Sequence, residues 1–218
     1  MHLESLTAGD TETRPTNPPL PVMEWCSDAR QDPITGLVAF PDFNFLLPDI
    51  LAFCQSHGFD IGIAIGDVDN LKEYVENSKS MDASSYGHLA GCALMQMLGL
   101  SAAEWFHTLD APFGCVSTFG GDEIIVVLAV EQGADDGFET MIVDLRNELF
   151  NALPRSVSFG WTVAHLRGND SDQTDRQYYR IRSIGLLSAV DQALFRQKSA
   201  LRGAGLPCEG FVTKADVT

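Results

Sequence analysis

The spacing of apolar residues changes along the first half of the chain and marks alternating helices and strands. Over Phe40–His57 apolar residues recur every three or four positions, which predicts an amphipathic helix that Gly58 ends. Those positions are Phe43, Leu46, Leu47, Ile50, Leu51 and Cys54. Over Ile61–Ile65 isoleucine alternates with glycine or alanine, which predicts a buried strand that runs into Asp67. Two helices are expected next, over 71–76 and over about 86–98.

The second half of the chain predicts a hairpin followed by a helix, a strand and a last helix. Two β-rich segments, 115–119 and 124–130, flank the pair Gly120-Gly121, which is typical of a β-hairpin. The later elements are expected as a helix over 138–153, a strand over 156–165, a charged loop over 168–176, a helix over 183–201 and an edge strand at 211–212. The order of these elements indicates one mixed α/β (α+β) domain over 25–218. The polar, proline-rich stretch 1–24 is expected to be a disordered arm.

Composition narrows the classes of partner that this domain can have. The chain has 218 residues and a net charge of −16, so its surface repels nucleic-acid polymers and anionic membranes. The apolar stretches are expected to be too short to cross a bilayer, and the N-terminus has no secretory signal, which favours a cytoplasmic protein. Five scattered cysteines without a CxxC pair support neither a zinc knuckle nor a disulfide framework.

Three polar features in an otherwise apolar setting point to chemistry. Asp67-Val68-Asp69 ends the first strand, Gly120-Gly121-Asp122-Glu123 forms the tip of the hairpin, and Lys198 lies one turn before Arg202 on the last helix. Each has an ordinary alternative, namely a helix cap, a solvated turn and a solvent-exposed helix face. Two acidic sites at the ends of apolar strands together favour an oxygen-ligand site for Mg²⁺ or Mn²⁺.

Six short motifs lie in order between Asp32 and Gly203. They are Asp32-Pro33-Ile34-Thr35-Gly36-Leu37, Asp67-Val68-Asp69-Asn70-Leu71-Lys72, Tyr86-Gly87-His88 with Gly91, Gly120-Gly121-Asp122-Glu123-Ile124, Ser158-Phe159-Gly160, and Asp191-Gln192-Ala193-Leu194-Phe195 with Lys198 and Arg202. In this order they resemble the motifs of GGDEF domains, the catalytic modules of diguanylate cyclases. The resemblance implies a palm-like nucleotidyl cyclase fold, in which helices flank a central, mostly antiparallel sheet.

The resemblance also implies a role for each matching position. Catalysis would fall to Asp67, Asp122 and Glu123, and the metal ions, Mg²⁺ or Mn²⁺, would lie at Asp67, Val68 and Asp122. The positions that would contact the nucleotide are Lys72, Gly120, Gly121, Lys198 and Arg202, with Asn77 and Cys92 near the base. Asp69 is expected to be mainly structural.

The positions that read guanine in the family differ in this chain. Val75 stands where the family has Asn, and Cys92 stands where it has Asp. Neither side chain can accept the two hydrogen bonds that guanine donates. Asn77 is an alternative partner, because the segment before Gly87 is longer than usual. The expected substrate is therefore a nucleoside triphosphate, GTP or ATP, without strict selection of GTP.

These features leave three hypotheses for function. The first is an active cyclase that condenses two nucleoside triphosphates into a cyclic dinucleotide and works as a homodimer, since each site holds one nucleotide. The second is a catalytically inactive GGDEF-like module that binds a nucleotide or a protein. The third is an enzyme with a changed product, such as an adenine-containing dinucleotide.

Overall fold

The computed structural model describes residues 26, 28–81, 87–109, 113–166 and 175–216, without the side chains of 79–81 and 87–88. The predicted arm over 1–24 and most of the predicted charged loop, 168–174, lie outside this description. Tyr86 and the side chain of His88, which belong to the third motif, also lie outside it.

Five helices and six strands make up the described part of the chain. The strands are β1 (Val38–Ala39), β2 (Asp60–Val68), β3 (Gly114–Gly120), β4 (Glu123–Val130), β5 (Val157–Ala164) and β6 (Val212–Lys214). The helices are α1 (Phe40–His57), α2 (Leu71–Met81), α3 (Gly87–Thr108), α4 (Asp135–Ala152) and α5 (Arg176–Gly203).

The strands form one sheet in the order β1-β3-β4-β2-β5-β6. β2 lies at the centre and pairs antiparallel with both β4 and β5, and β3 pairs antiparallel with β4. Only the short edge strands β1 and β6 pair parallel to their neighbours. The predicted class, a mixed α/β domain with a mostly antiparallel central sheet, is confirmed.

Helices cover both faces of the sheet, and the alternation of side chains along β2 explains how. Ile61, Ile63 and Ile65 point into the core that α1 and α5 share. Gly62, Ala64 and Gly66 lie on the opposite face, and the rings of Phe138 and Phe159 fill the space over the two glycines.

Most elements lie where the apolar pattern predicts them, and the differences are at their ends. Helix α1 matches the prediction and ends at Gly58, which adopts φ 74°. Helix α5 begins seven residues earlier than predicted, where the carboxylate of Asp175 caps it by accepting from the N–H of Gln177. Helix α3 continues past the predicted end to Thr108, and Gly99 within it packs against the backbone of Thr35.

One helix corrects the expectation about apolar stretches. Residues 89–108 of α3 are long and apolar enough to span a membrane by length and composition, although the core helix of a soluble protein passes the same test. Leu94, Leu98 and Ala102 of this helix are buried against the sheet. The apolar character of α3 is therefore used at least in part to build the core.

Candidate functional site

The acidic residues of the second and fourth motifs meet at one edge of the sheet. Asp67, near the end of β2, lies directly opposite Glu123, the first residue of β4, and opposite Ser158 of β5 on its other side. The N–H of Val68 donates to the carbonyl oxygen of Asp122 over 3.0 Å. The strand-end acid and the hairpin acids are therefore neighbours, as the sequence predicts.

The tip of the hairpin adopts a conformation that favours glycine. Gly120 and Gly121 have φ of 92° and 73°, in the left-handed region. Open space surrounds both, since a Cβ at either position would meet no heavy atom within 4 Å. The hydroxyl of buried Thr118 donates to the carbonyl oxygen of Glu123 and accepts from the N–H of Gly120, which braces the turn. Backbone conformation, and not crowding within the chain, explains the glycine pair.

Lys198 brings a positive charge from α5 into the acidic cluster. Its ammonium group bonds to a carboxylate oxygen of Asp67 and lies 2.9 Å from Oδ1 of Asp69. The side chain of Lys198 is only 11% exposed, whereas Arg202, one turn later, is exposed. Of the predicted basic pair, Lys198 therefore lies in the acidic cluster and Arg202 lies on the exposed surface of the helix.

Asp69 is fully engaged by the protein itself. Its carboxylate, 2% exposed, accepts hydrogen bonds from the hydroxyls of Ser156 and Ser158 and from the N–H of Gly210, besides the ion pair with Lys198. These donors connect β5 and the segment before β6 to the end of β2. The contacts agree with the expected structural role of Asp69.

The cluster holds more negative charge than its one buried cation balances. Burial raises the pKa of Glu123 to about 7, and repulsion from Asp67, Asp122 and Asp191 adds to the effect. Burial likewise raises the pKa of Asp67, in spite of its bond to Lys198. For Lys198, the two carboxylates outweigh burial and raise the pKa above its usual value.

The donor set suits a hard divalent cation in its chemistry. Carboxylate oxygens are the ligands that Mg²⁺ prefers, and excess negative charge is what such a cation neutralises. As the described side chains stand, however, no group of three His, Cys, Asp or Glu residues is arranged to hold a metal ion. Lys198 bonds to Oδ1 of Asp67, so Oδ2 is the oxygen of that carboxylate left for a cation.

The turn after Asp69 lies beside the cluster and is held by a residue that the motifs do not contain. Asn70 adopts φ 54°, and its side-chain amide donates to the carboxylate of Glu209. Lys72 follows in the first turn of α2, with its side chain 90% exposed and its ammonium 4.0 Å from Glu76. Glu209 and Gly210 lie about 140 positions from their partners, so the sequence carries no local signal for these contacts.

A cavity of about 260 Å³ opens between α2, α3, the hairpin tip and the turn at residues 32–35. Leu71, Val75 and Met95 form its apolar walls, and Gly91, Cys92 and Gly121 also line it. Val75 packs across Gly91, where an added Cβ would approach a Val75 methyl group to 3.2 Å. Asn77 is exposed on α2 and is not among the described residues that line this cavity. Val75 and Cys92 therefore lie at one pocket, and Asn77 does not join them.

No protein-family model matches this chain, and no curated protein matches it at a significant level.

Solved structures do resemble it. The chain is similar to the GGDEF domain of DgcB from Caulobacter crescentus in complex with c-di-GMP, with 17% identity, 86% of this chain and 93% of that chain covered, and a TM-score of 0.60. A sensory box/GGDEF family protein from the same organism has 21% identity, coverage of 79% and 99%, and a TM-score of 0.58. The diguanylate cyclase SiaD from Pseudomonas aeruginosa, in complex with its activator SiaC, has 20% identity and a TM-score of 0.59. The match covers 85% of this chain but only 61% of SiaD. The chain therefore has the fold of a GGDEF domain, in a form whose sequence has diverged far from these structures.

Proposed function

We propose that this chain is a magnesium-dependent nucleotidyl cyclase that condenses two nucleoside triphosphates into a cyclic dinucleotide. The observation that carries the proposal is the register that sets Asp67 opposite Glu123, with Asp122 one residue away, on a GGDEF fold. Mg²⁺ would be held by the carboxylates of Asp67 and Asp122 and by the main-chain carbonyl of Val68. When bound, it neutralises charge on the triphosphate and activates the attacking hydroxyl.

Glu123 is the residue that suits proton transfer in this proposal. A carboxylate can accept the proton that the attacking hydroxyl group loses. The place of Glu123 opposite Asp67 puts it at the same edge of the sheet as the metal ligands. In this proposal Glu123 accepts the proton of the nucleotide's 3′-hydroxyl group.

The phosphate groups have two kinds of partner. Lys72 and Arg202 are exposed and carry positive charges free to turn towards an anion. The ammonium group of Lys198 has three N–H donors, and beside its bonds to Asp67 and Asp69 it can donate to a phosphate oxygen. The N–H groups of the turn after Asp69 open α2 and add the positive end of a helix dipole.

One chain supplies one nucleotide site, so two chains must face each other to close a cyclic product. The active form in this proposal is therefore a homodimer, and a cytoplasmic location would supply it with nucleoside triphosphates and Mg²⁺.

The test is to incubate the purified protein with each nucleoside triphosphate and Mg²⁺ and to identify products by mass spectrometry. We expect a cyclic dinucleotide and pyrophosphate, with a rate per chain that rises with protein concentration. Asp122→Asn should lower the rate at least a hundredfold, because it removes a charged ligand of the metal. Asp136→Asn, an exposed acid on α4, is the matched control and should leave the rate unchanged.

Two results would contradict the proposal. One is the absence of product from every nucleotide at high protein concentration. The other is a product whose yield is the same in Asp122→Asn. Tight nucleotide binding without release of pyrophosphate would instead identify an inactive nucleotide-binding module.

A further inference from the structure

The cavity between α2 and α3 has apolar walls and few side chains that could hydrogen-bond to the edge of a base. Leu71, Val75 and Met95 supply apolar surface, and Gly91 exposes helix backbone. Gly121, at the tip of the hairpin, lines the same cavity. A ring bound there would therefore lie next to the hairpin that carries the acidic residues. Within the proposed function, this is the place for the base of the bound nucleotide.

Three of the described lining side chains carry a carboxylate, hydroxyl or thiol group. They are Asp32, Thr35 and Cys92. The hydroxyl of Thr35 is already used, since it donates to Asp32 over 3.0 Å and accepts from the N–H of Leu37. A thiol such as that of Cys92 is a weak donor and a weak acceptor. The carboxylate of Asp32 is therefore the one strong acceptor among the described lining side chains.

Half of the Asp32 carboxylate is occupied by the turn that it caps. Its Oδ1 accepts from the N–H groups of Ile34 and Thr35, over 3.1 and 2.8 Å, as well as from the Thr35 hydroxyl. This leaves Oδ2 as the oxygen able to receive a ligand's donor. A carboxylate reads guanine by accepting from its N1–H and its N2 amino group with two oxygens, and here only one is available.

The edge of adenine matches these groups better. Adenine presents one amino group, which Oδ2 of Asp32 can accept from, beside a ring nitrogen that needs a donor. The thiol of Cys92 can donate weakly to that nitrogen. Guanine has three N–H groups on this edge and adenine has two, so guanine would keep more N–H groups buried without a strong acceptor, which is unfavourable.

We propose that this cavity binds the base of an adenine nucleotide, with Asp32 accepting from the exocyclic amino group and with Val75 and Cys92 in place of a guanine-reading pair. The inference rests on the proposed function for the location of the nucleotide. It adds that ATP is the preferred substrate of the site.

The test measures binding by isothermal titration calorimetry, with the α,β-methylene analogues of ATP and GTP in the presence of Mg²⁺. These analogues cannot react at the α–β bond, so binding is read without turnover. We expect the ATP analogue to bind about tenfold more tightly than the GTP analogue, which corresponds to about 1.4 kcal/mol. The CTP and UTP analogues should bind more weakly still, because their smaller rings leave part of the apolar wall uncovered.

Asp32→Asn is the decisive variant. Its remaining oxygen can still cap the turn, while an amide NH₂ replaces Oδ2 and opposes the amino group of adenine. We expect the affinity for the ATP analogue to fall about tenfold. The affinity for the GTP analogue should stay the same or rise, because guanine O6 can accept a hydrogen bond from the new amide. Asp136→Asn, at an exposed acid on α4, is the matched control and should keep the wild-type ratio of affinities for the two analogues. A thermal melt of each variant checks that it folds.

Cys92→Asp is a second variant that does not alter the turn. The added carboxylate should tighten binding of the GTP analogue about tenfold, and Cys92→Ser should not. Equal or tighter binding of the GTP analogue by the wild type, with turnover, would overturn this inference and leave the cyclase proposal standing. Failure of every analogue to bind would overturn both.

Discussion

Asp60 lies at the opposite end of β2 from the acidic cluster and shows how this fold holds a buried carboxylate. It is 2% exposed and accepts from the N–H groups of Gly133 and Leu166, and Nδ1 of His165 lies 2.7 Å from its Oδ2. Burial raises the pKa of Asp60, but the bonds from His165, Gly133 and Leu166 outweigh burial, so the pKa lies below its ordinary value.

This lowered pKa predicts a specific loss of stability in acid. A carboxylate with a depressed pKa in the folded state contributes stability above its unfolded pKa, near 3.9, and the contribution is lost as pH falls through the folded value. Asp60→Asn should therefore destabilise the protein by about 1–3 kcal/mol at pH 7. The difference from wild type should shrink as pH falls below about 4.

Urea unfolding followed by circular dichroism at pH 7, 5, 4 and 3 measures this difference. Glu139→Gln, an exposed acid on α4, serves as the control and should change stability little at any of these values. If the difference in unfolding free energy between Asp60→Asn and wild type stayed constant down to pH 3, the charge of Asp60 would not be the cause of that difference.

At the scale of elements, the contact between α3 and the turn at residues 32–36 shapes the proposed base site. Gly99 of α3 lies so close to this turn that an added Cβ would overlap the carbonyl oxygen of Thr35. Both elements line the cavity, Thr35 from the turn and Met95 from the preceding turn of the helix. A glycine at position 99 therefore sets the distance between two walls of the cavity.

Gly99→Ala should be strongly destabilising, by about 3 kcal/mol, because backbone must move to admit the methyl group. Gly185→Ala on α5 is the matched control, since its Cβ would meet nothing within 4 Å and alanine favours a helix. That substitution should stabilise the protein by about 0.5–1 kcal/mol. Chemical unfolding measures the stability of the two variants against wild type. Equal changes in stability would mean that helix propensity alone governs these positions.

The elements themselves were largely predictable, because apolar periodicity is local. The central strand β2, the hairpin of β3 and β4 and the helices α1, α4 and α5 all follow from short-range patterns. The two-residue strand β1 was not predicted, since two residues carry no period. Its place is decided by its parallel pairing with β3.

At the scale of the whole molecule, charge is the dominant feature. A net charge of −16 on 218 residues opposes the compact state through self-repulsion. Ion pairs such as Arg30 with Asp42 and Arg176 with Asp49, whose arginines are largely exposed, offset little of this repulsion.

Added salt should therefore stabilise the protein in metal-free buffer. Raising NaCl from 10 to 200 mM shortens the Debye length from about 30 to about 7 Å and should increase the free energy of unfolding by about 1 kcal/mol. For a domain of this size that corresponds to a rise in Tm of about 2–4 °C. Differential scanning calorimetry with EDTA present measures the shift, and sucrose at equal osmolarity separates screening from solute exclusion. A Tm that falls with NaCl would show that attractive surface pairs outweigh the repulsion.

By itself, the sequence determined the class of the fold, the order of its main elements and the acids that meet at one edge of the sheet. It could do so because a buried strand that ends in Asp67 and a hairpin tip that carries Asp122 and Glu123 are local patterns, and antiparallel pairing brings such ends together.

Only the tertiary structure decided which partners those acids have. Lys198 bonds to Asp67 across 131 positions, and Glu209 holds Asn70 across 139. Likewise, Asp32 shares a cavity with Val75 and Cys92 only because α3 packs on the turn that Asp32 caps. Contacts of this separation depend on how whole elements pack, and the spacing of residues along the chain does not encode that packing.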